Sequence, residues 1–177
     1  MARYTRKVVK SESELKKLIE DTRKLRHAVK PSYKPTAYLI LNGMEIANYQ
    51  RSGFPSFEDI KKVLEECIPT YKPVSVVTDS SLIYLLSEEE TIEYEQALTE
   101  GILVKNVRIP IVEVATYEDS IITLLKLAVE NNAKILTNEK LLETYAIIKQ
   151  QKAPSSFRGK QFQVSYTITS GEIKIFE

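Results

Sequence analysis

The chain has 177 residues, 25 Lys+Arg against 24 Asp+Glu, one His, one Cys, no Trp and 5 Gly. That length suits one domain, or one with an appendage, and 43% hydrophobic residues can fill a sizeable core. One cysteine (Cys67) and one histidine (His27) exclude an intramolecular disulfide and a Cys/His zinc site, and leave no credible Ser-His-Asp relay, so carboxylates with a metal remain the chemistry to look for.

The near-neutral total conceals two halves. Residues 1–36 hold 11 Lys/Arg against 4 Asp/Glu, whereas the remaining 141 hold 14 against 20. A positive segment attracts phosphates and an acidic body attracts divalent cations. Ser11 and Glu14 form a capping box, and Leu15, Leu18, Ile19, Thr22, Leu25 and Val29 recur at helical spacing, so 12–29 is predicted as an amphipathic helix. Pro31 and Pro35 break the pattern, and the main domain is expected to start near residue 37.

From there short apolar runs alternate with helical patterns. Residues 38–41 read as a buried strand ending at Asn42-Gly43, and 56–67 as a helix capped by Ser56 and Asp59. Residues 74–78 give a second strand ending at Asp79. Residues 80–86 and 88–99 read as helical, the second capped by Ser87 and closed by Gly101. Either 103–107 or 111–114 supplies a third strand, 119–131 an apolar helix, 134–137 a fourth strand and 141–150 a further helix. The tail, 161–168 and 172–176 about Ser170-Gly171, reads as a β-hairpin. Strand and helix in alternation mean a parallel, doubly wound sheet, whose sites gather at the carboxyl ends of the strands. Asn42, Gly43, Glu45, Asp79, Glu118, Asp119, Asn138 and Glu139 stand at such ends or at the head of a helix. Several acids on one rim raise one another's pKa unless a cation neutralises them. Mg2+ or Mn2+ would do so, and would activate water for phosphodiester hydrolysis.

These same residues resemble a family. Leu39-Ile40-Leu41-Asn42-Gly43-Met44-Glu45-Ile46-Ala47 is similar to the opening strand and Asp-Gly-x-Asn-Val-Ala motif of NYN domains, which are PIN-like ribonucleases. Val76-Val77-Thr78-Asp79-Ser80-Ser81-Leu82 resembles their second strand. Tyr117-Glu118-Asp119 heading an apolar helix, followed by Ile135-Leu136-Thr137-Asn138-Glu139, resembles their Asp-headed helix and Ser/Thr-Asn-Asp strand end. The resemblance spans about residues 37–145. It implies a three-layer PIN-like (Rossmannoid) α/β domain over 37–177 behind a basic helical extension, 1–36, and an RNA endonuclease using Mg2+ or Mn2+. Carried over by position, Asp79, Asp119, Glu139 and Asn42 are its catalytic residues, and Asp79, Glu118, Asp119, Glu139 and Glu45 its metal ligands, with Asn138 beside them. Asn42 stands where the family has its first Asp, offering a carbonyl oxygen but no charge. The alternative is a catalytically degenerate PIN-like protein that binds RNA or protein.

Arg3, Arg6, Lys7, Arg23, Lys24 and Arg26 in the arm, Arg51 in the loop after the first motif, and Arg158 and Lys160 in 154–160 are the expected phosphate contacts. Tyr4 and Tyr33 near the basic arm make base stacking available there, and Tyr49 and Tyr117 sit beside the proposed rim. RNA is the expected partner, with a homodimer open. No apolar run approaches the roughly 18–20 residues of a membrane span, so a cytoplasmic location without membrane attachment is the expectation. Richness in Lys, Glu and Ile with few Gly also suits a thermophile.

Overall fold

The computed structural model describes residues 37–49, 54–157, 162–169 and 172–176. The predicted helix at 12–29 lies outside them, as do Arg3, Tyr4, Arg6, Lys7, Arg23, Lys24, Arg26, Tyr33, Arg51, Arg158 and Lys160. In chain order the elements are β1 (Leu39–Asn42), α1 (Gly43–Ala47), α2 (Phe57–Cys67), β2 (Val74–Asp79), a 3-10 turn (Leu82–Tyr84), α3 (Glu88–Glu100), β3 (Ile102–Val104), β4 (Val107–Ile109), β5 (Ile111–Val114), α4 (Tyr117–Asn131), β6 (Lys134–Leu136), α5 (Leu141–Lys149), β7 (Gln163–Thr169) and β8 (Glu172–Phe176).

The central sheet runs β5-β2-β1-β6-β7-β8, parallel except for β8, which pairs antiparallel with β7. The apolar runs predicted as buried strands are buried at every residue of β1 and β2, as expected for a parallel sheet covered on both faces. Alternation divides the core into two layers. Leu39, Leu41, Val76 and Leu136 face Ile46, Phe57, Ile60, Leu64, Tyr94 and Ala97 of α1, α2 and α3. Ile40, Val77, Val112, Val114 and Ile135 face Ile121, Leu124, Leu125 and Leu141 of α4 and α5. The result is the three-layer arrangement of helices, sheet and helices. Cys67 is a buried free thiol whose pKa burial and the nearby Glu66 push up to about 12.

Chain order within the sheet positions the site. From β1 the chain moves outward through β2 to β5, then returns to the other side of β1 with β6 and continues to β7 and β8. The direction of winding therefore reverses between β1 and β6, and the connections diverge there to leave a crevice at the carboxyl ends of the strands.

Four sequence expectations need correction. Residues 80–86 form only a 3-10 turn at Leu82–Tyr84, closed by Leu85 N–H to the Leu82 carbonyl. Of the two candidates for the third strand, 111–114 enters the central sheet as β5, whereas 103–107 is broken by a turn between β3 and β4, which make a separate hairpin. Lys105 and Asn106 turn that hairpin with φ of 46° and 66°, the paired positive values of a tight two-residue turn. The apolar helix starts at Tyr117 rather than Asp119, capped by Thr116. Ser56 makes no side-chain cap on α2, and Asp59 is instead buried near Lys62. The cap comes from Glu90 of α3, whose Oε1 accepts from Phe57 N at 2.8 Å, Glu58 N at 3.2 Å and Ser56 Oγ at 2.9 Å. The predicted Ser87 cap of α3 is present, Ser87 Oγ accepting from Glu90 N at 3.3 Å. The tail hairpin also forms, and β7 joins it to the sheet beside β6. Among the described residues no helix is long and apolar enough to cross a membrane.

Candidate functional site at the switch between β1 and β6

The site starts from Asn42-Gly43. A Cβ on Gly43 would lie 2.7 Å from Thr78 Cγ2 and from Val76 Cγ1, and 2.9 Å from the Val77 carbonyl oxygen. Only glycine allows the chain to turn into α1 this close to β2. The tight turn lets Asn42 Oδ1 accept from Glu45 N at 3.5 Å, and α1 brings the Glu45 side chain back over the strand ends.

Asn42 is the last residue of β1 and is buried. Its Nδ2 donates to Glu139 Oε2 at 3.2 Å and to Glu45 Oε2 and Thr137 Oγ1 at 3.4 Å each. Glu45 Oε1 accepts from Asn138 N at 2.8 Å and from the Tyr166 hydroxyl at 3.2 Å, and its Oε2 accepts from the Thr137 hydroxyl. Glu139 Oε1 accepts from the Tyr117 hydroxyl and from Thr144 Oγ1 at 3.4 Å. Two carboxylates from either side of the switch thus meet around one amide. Its orientation is fixed by its neighbours, the oxygen toward an N–H and the NH2 toward the acids.

The electrostatics register the crowding. Partial burial, and then the Glu45 charge, raise the Glu139 carboxyl above its ordinary value, and the hydrogen bonds from Asn42 and Thr144 offset only part of this. Burial, followed by the charge of Glu45, likewise pushes the Tyr166 hydroxyl well above the ordinary tyrosine range, so it remains a donor. Asn138 serves the scaffold: its Nδ2 donates to the Tyr166 carbonyl at 2.9 Å and its Oδ1 accepts from Tyr166 N at 3.2 Å, continuing the β6–β7 pairing with a side chain.

The remaining predicted acids stand apart from this pair. Asp79 ends β2 and is buried. By strand alternation it shares the sheet face of Val77, as Asn42 shares that of Ile40. Its Oδ1 accepts from Ser81 N at 2.8 Å and from the Ser81 hydroxyl, while its Oδ2 is buried without a hydrogen-bond partner among the described residues. Asp119 is exposed and forms a capping box with Thr116, whose hydroxyl donates to Asp119 Oδ2 at 2.9 Å and accepts from Asp119 N at 3.1 Å. Glu118 is exposed in the same first turn of α4. Thr137, Tyr166 and Thr144 are contributors that sequence reasoning missed. Thr137 lay inside the quoted strand-end motif, whereas Tyr166 comes from a strand more than a hundred residues away and carried no local signal.

A Mg2+ or Mn2+ ion takes oxygen ligands at about 2.0–2.1 Å in octahedral array. Among the described residues no three His, Cys, Asp or Glu side chains group so as to hold one. The two acids that converge already accept hydrogen bonds at every carboxylate oxygen, with an amide donor between them. These residues do not fit a cation held by a ring of acids.

An open cleft of about 410 Å³ lies beside the pair, lined by Met44, Glu45, Asn48, Tyr117, Asn138 and Glu139.

No protein-family model matches the sequence. No curated protein is significantly similar to it. Solved structures are similar. One is a crystal structure of nuclear proteinaceous RNase P 2 (PRORP2) from Arabidopsis thaliana, 16% identical, with a TM-score of 0.57 over 94% of this chain and 36% of that one. A second structure of the same plant enzyme gives 15% identity and a TM-score of 0.56 over 96% of this chain and 37% of that one. The chain therefore spans little more than a third of the length of the ribonuclease it matches. At that identity the likeness establishes architecture alone, a three-layer PIN-like α/β fold with a mainly parallel six-stranded sheet between two layers of helices.

Proposed function

We propose that this chain is a PIN-like RNA-binding protein in which the cleaving chemistry of the fold has lapsed. The carrying observation is the Asn42 amide, which places Nδ2 within 3.4 Å of Glu45 Oε2 and 3.2 Å of Glu139 Oε2. An acid at this position would complete a set of three carboxylates that a cation, or a bound proton, would have to reconcile. An amide supplies the two protons instead, and the rim holds together without a metal. RNA as partner is supported by the fold shared with a ribonuclease and by the excess of Lys and Arg in residues 1–36, which suits phosphates.

The test is fluorescence anisotropy of the full chain with a labelled single-stranded RNA across a salt series, with a gel assay for cleavage in Mg2+ and in Mn2+. Binding that weakens steeply with salt, and intact RNA under both metals, is the expected result. Cleavage that needs either metal and is abolished by Glu139→Gln would overturn it.

One observation favours the other reading, a Mg2+- or Mn2+-dependent endonuclease using Asp79, Glu139, Glu45 and Glu118 or Asp119. Among the described residues Asp79 Oδ2 is buried without a partner, and a ligand to a cation would satisfy such an oxygen. The cleavage assay separates the two readings directly.

A further inference from the structure

We propose that the cleft beside the rim takes an unpaired nucleobase bearing an exocyclic amine, stacked on Tyr117. The inference rests on the RNA reading only for the source of the base, since a free nucleoside carries the same chemistry. Tyr117 opens α4 and is 45% exposed, so part of its ring face is open to the cleft it lines. Its hydroxyl donates to Glu139, which holds the ring at the cleft wall. The Met44 side chain, projected from α1, lines the same space and adds a second apolar surface. Flat ligands are gripped between surfaces of this kind, and ring-on-base stacking is indifferent to sequence.

Charge selects among possible occupants. Among the described residues no Lys or Arg lines the cleft, and its acids are Glu45 and Glu139. Those two acids repel a phosphate, and among the described residues a divalent cation would find no third acid. A neutral ring with an N–H donor is the complementary ligand, because Glu139 Oε2, which among the described residues accepts only from Asn42, is the carboxylate oxygen with a lone pair to spare. The volume of about 410 Å³ falls within the range of small-molecule sites. Phosphates of a bound strand would then run outside the cleft while one base enters it.

The probe is a short single-stranded RNA carrying one 2-aminopurine, whose fluorescence falls when it stacks, with 2-aminopurine riboside as the free-nucleoside arm. The full chain is expected to quench the RNA probe. Tyr117→Phe, which keeps the ring and drops the hydroxyl that holds it, should retain quenching and weaken binding less than loss of the ring does. Tyr117→Ala and the bulkier Tyr117→Leu should both lose quenching and bind about tenfold more weakly, as loss of one stacked base implies. RNA binding without quenching, or Ala and Leu variants indistinguishable from wild type, would overturn the inference and leave the RNA reading standing. Quenching of the riboside with no RNA binding would support the cleft and contradict the RNA reading. No quenching in either arm together with no RNA binding would overturn both.

Discussion

Two carboxylate sites in this molecule have opposite characters. Glu90 braces α2 against α3: its Oε1 accepts from two backbone N–H groups and a hydroxyl, and its Oε2 accepts from Ser87 Oγ at 3.2 Å. Burial pushes its pKa up, but the hydrogen bonds from Ser56, Glu58, Ser87 and Phe57 outweigh that and hold the carboxyl below its ordinary value. At the rim, Glu45 and Glu139 share their donors, Asn42 serving both, and burial and mutual repulsion win, leaving Glu139 raised. One site stabilises the fold with a charge, whereas the other tolerates a charge on Glu139 that it would be more stable without. Conflict of the second kind marks a place kept for something other than stability.

Breaking the rim is expected to have the largest effect. Asn42→Asp replaces a buried donor by a third negative charge between Glu45 and Glu139, and should lower unfolding stability by about 3 kcal/mol in chelator, read by urea denaturation at pH 7. Breaking the brace comes next. Glu90→Ala strips the cap of α2 and half of the capping box of α3, and should cost about 1–2 kcal/mol. The sign with pH follows from the lowered pKa. The Glu90 contribution is present above the unfolded carboxyl value of 4.5 and is lost as pH falls through the lower folded value, so wild type and variant should converge in acid. Relieving the rim is the smallest change and has the opposite sign. Because the folded Glu139 pKa is raised, protonation favours the fold. That contribution is complete below 4.5 and is lost as pH rises through the folded value. Glu139→Gln should therefore raise the melting temperature slightly at pH 7 and match wild type below pH 4.5, with salt narrowing the gap because Glu139 is partly exposed. A Glu139→Gln variant less stable than wild type at pH 7 would place the rim in the same class as the brace.

The brace and the rim were not equally legible in the sequence. Strands β1, β2, β5 and β6 announce themselves as short apolar runs, and Asn42, Glu45, Asn138 and Glu139 follow from standing just after two of them. Periodicity gives no strand order, so it could not say that β1 and β6 are neighbours at the point where winding reverses, which is why these four residues converge and Asp79 stands one strand away. Glu90 was invisible as a cap for α2 because it acts across more than thirty residues, whereas Ser56 and Asp59 offered a local cap with the right spacing. The β3–β4 hairpin hid within a run that reads as a single strand, its Lys105-Asn106 turn lacking the glycine that usually flags one. Asn42 was recognisable as a neutral residue at an acidic position, but only the structure gives its amide a task.

The central claim is that Asn42 does the work of a cation. Thermal unfolding of wild type and Asn42→Asp, each with Mn2+ and with chelator, tests it most directly, because a metal that binds only the folded state raises its melting temperature. The account expects wild type to melt at one temperature in both conditions, and Asn42→Asp to melt lower in chelator and recover with Mn2+. A wild-type melting temperature that rises with Mn2+ as much as that of the variant would contradict it.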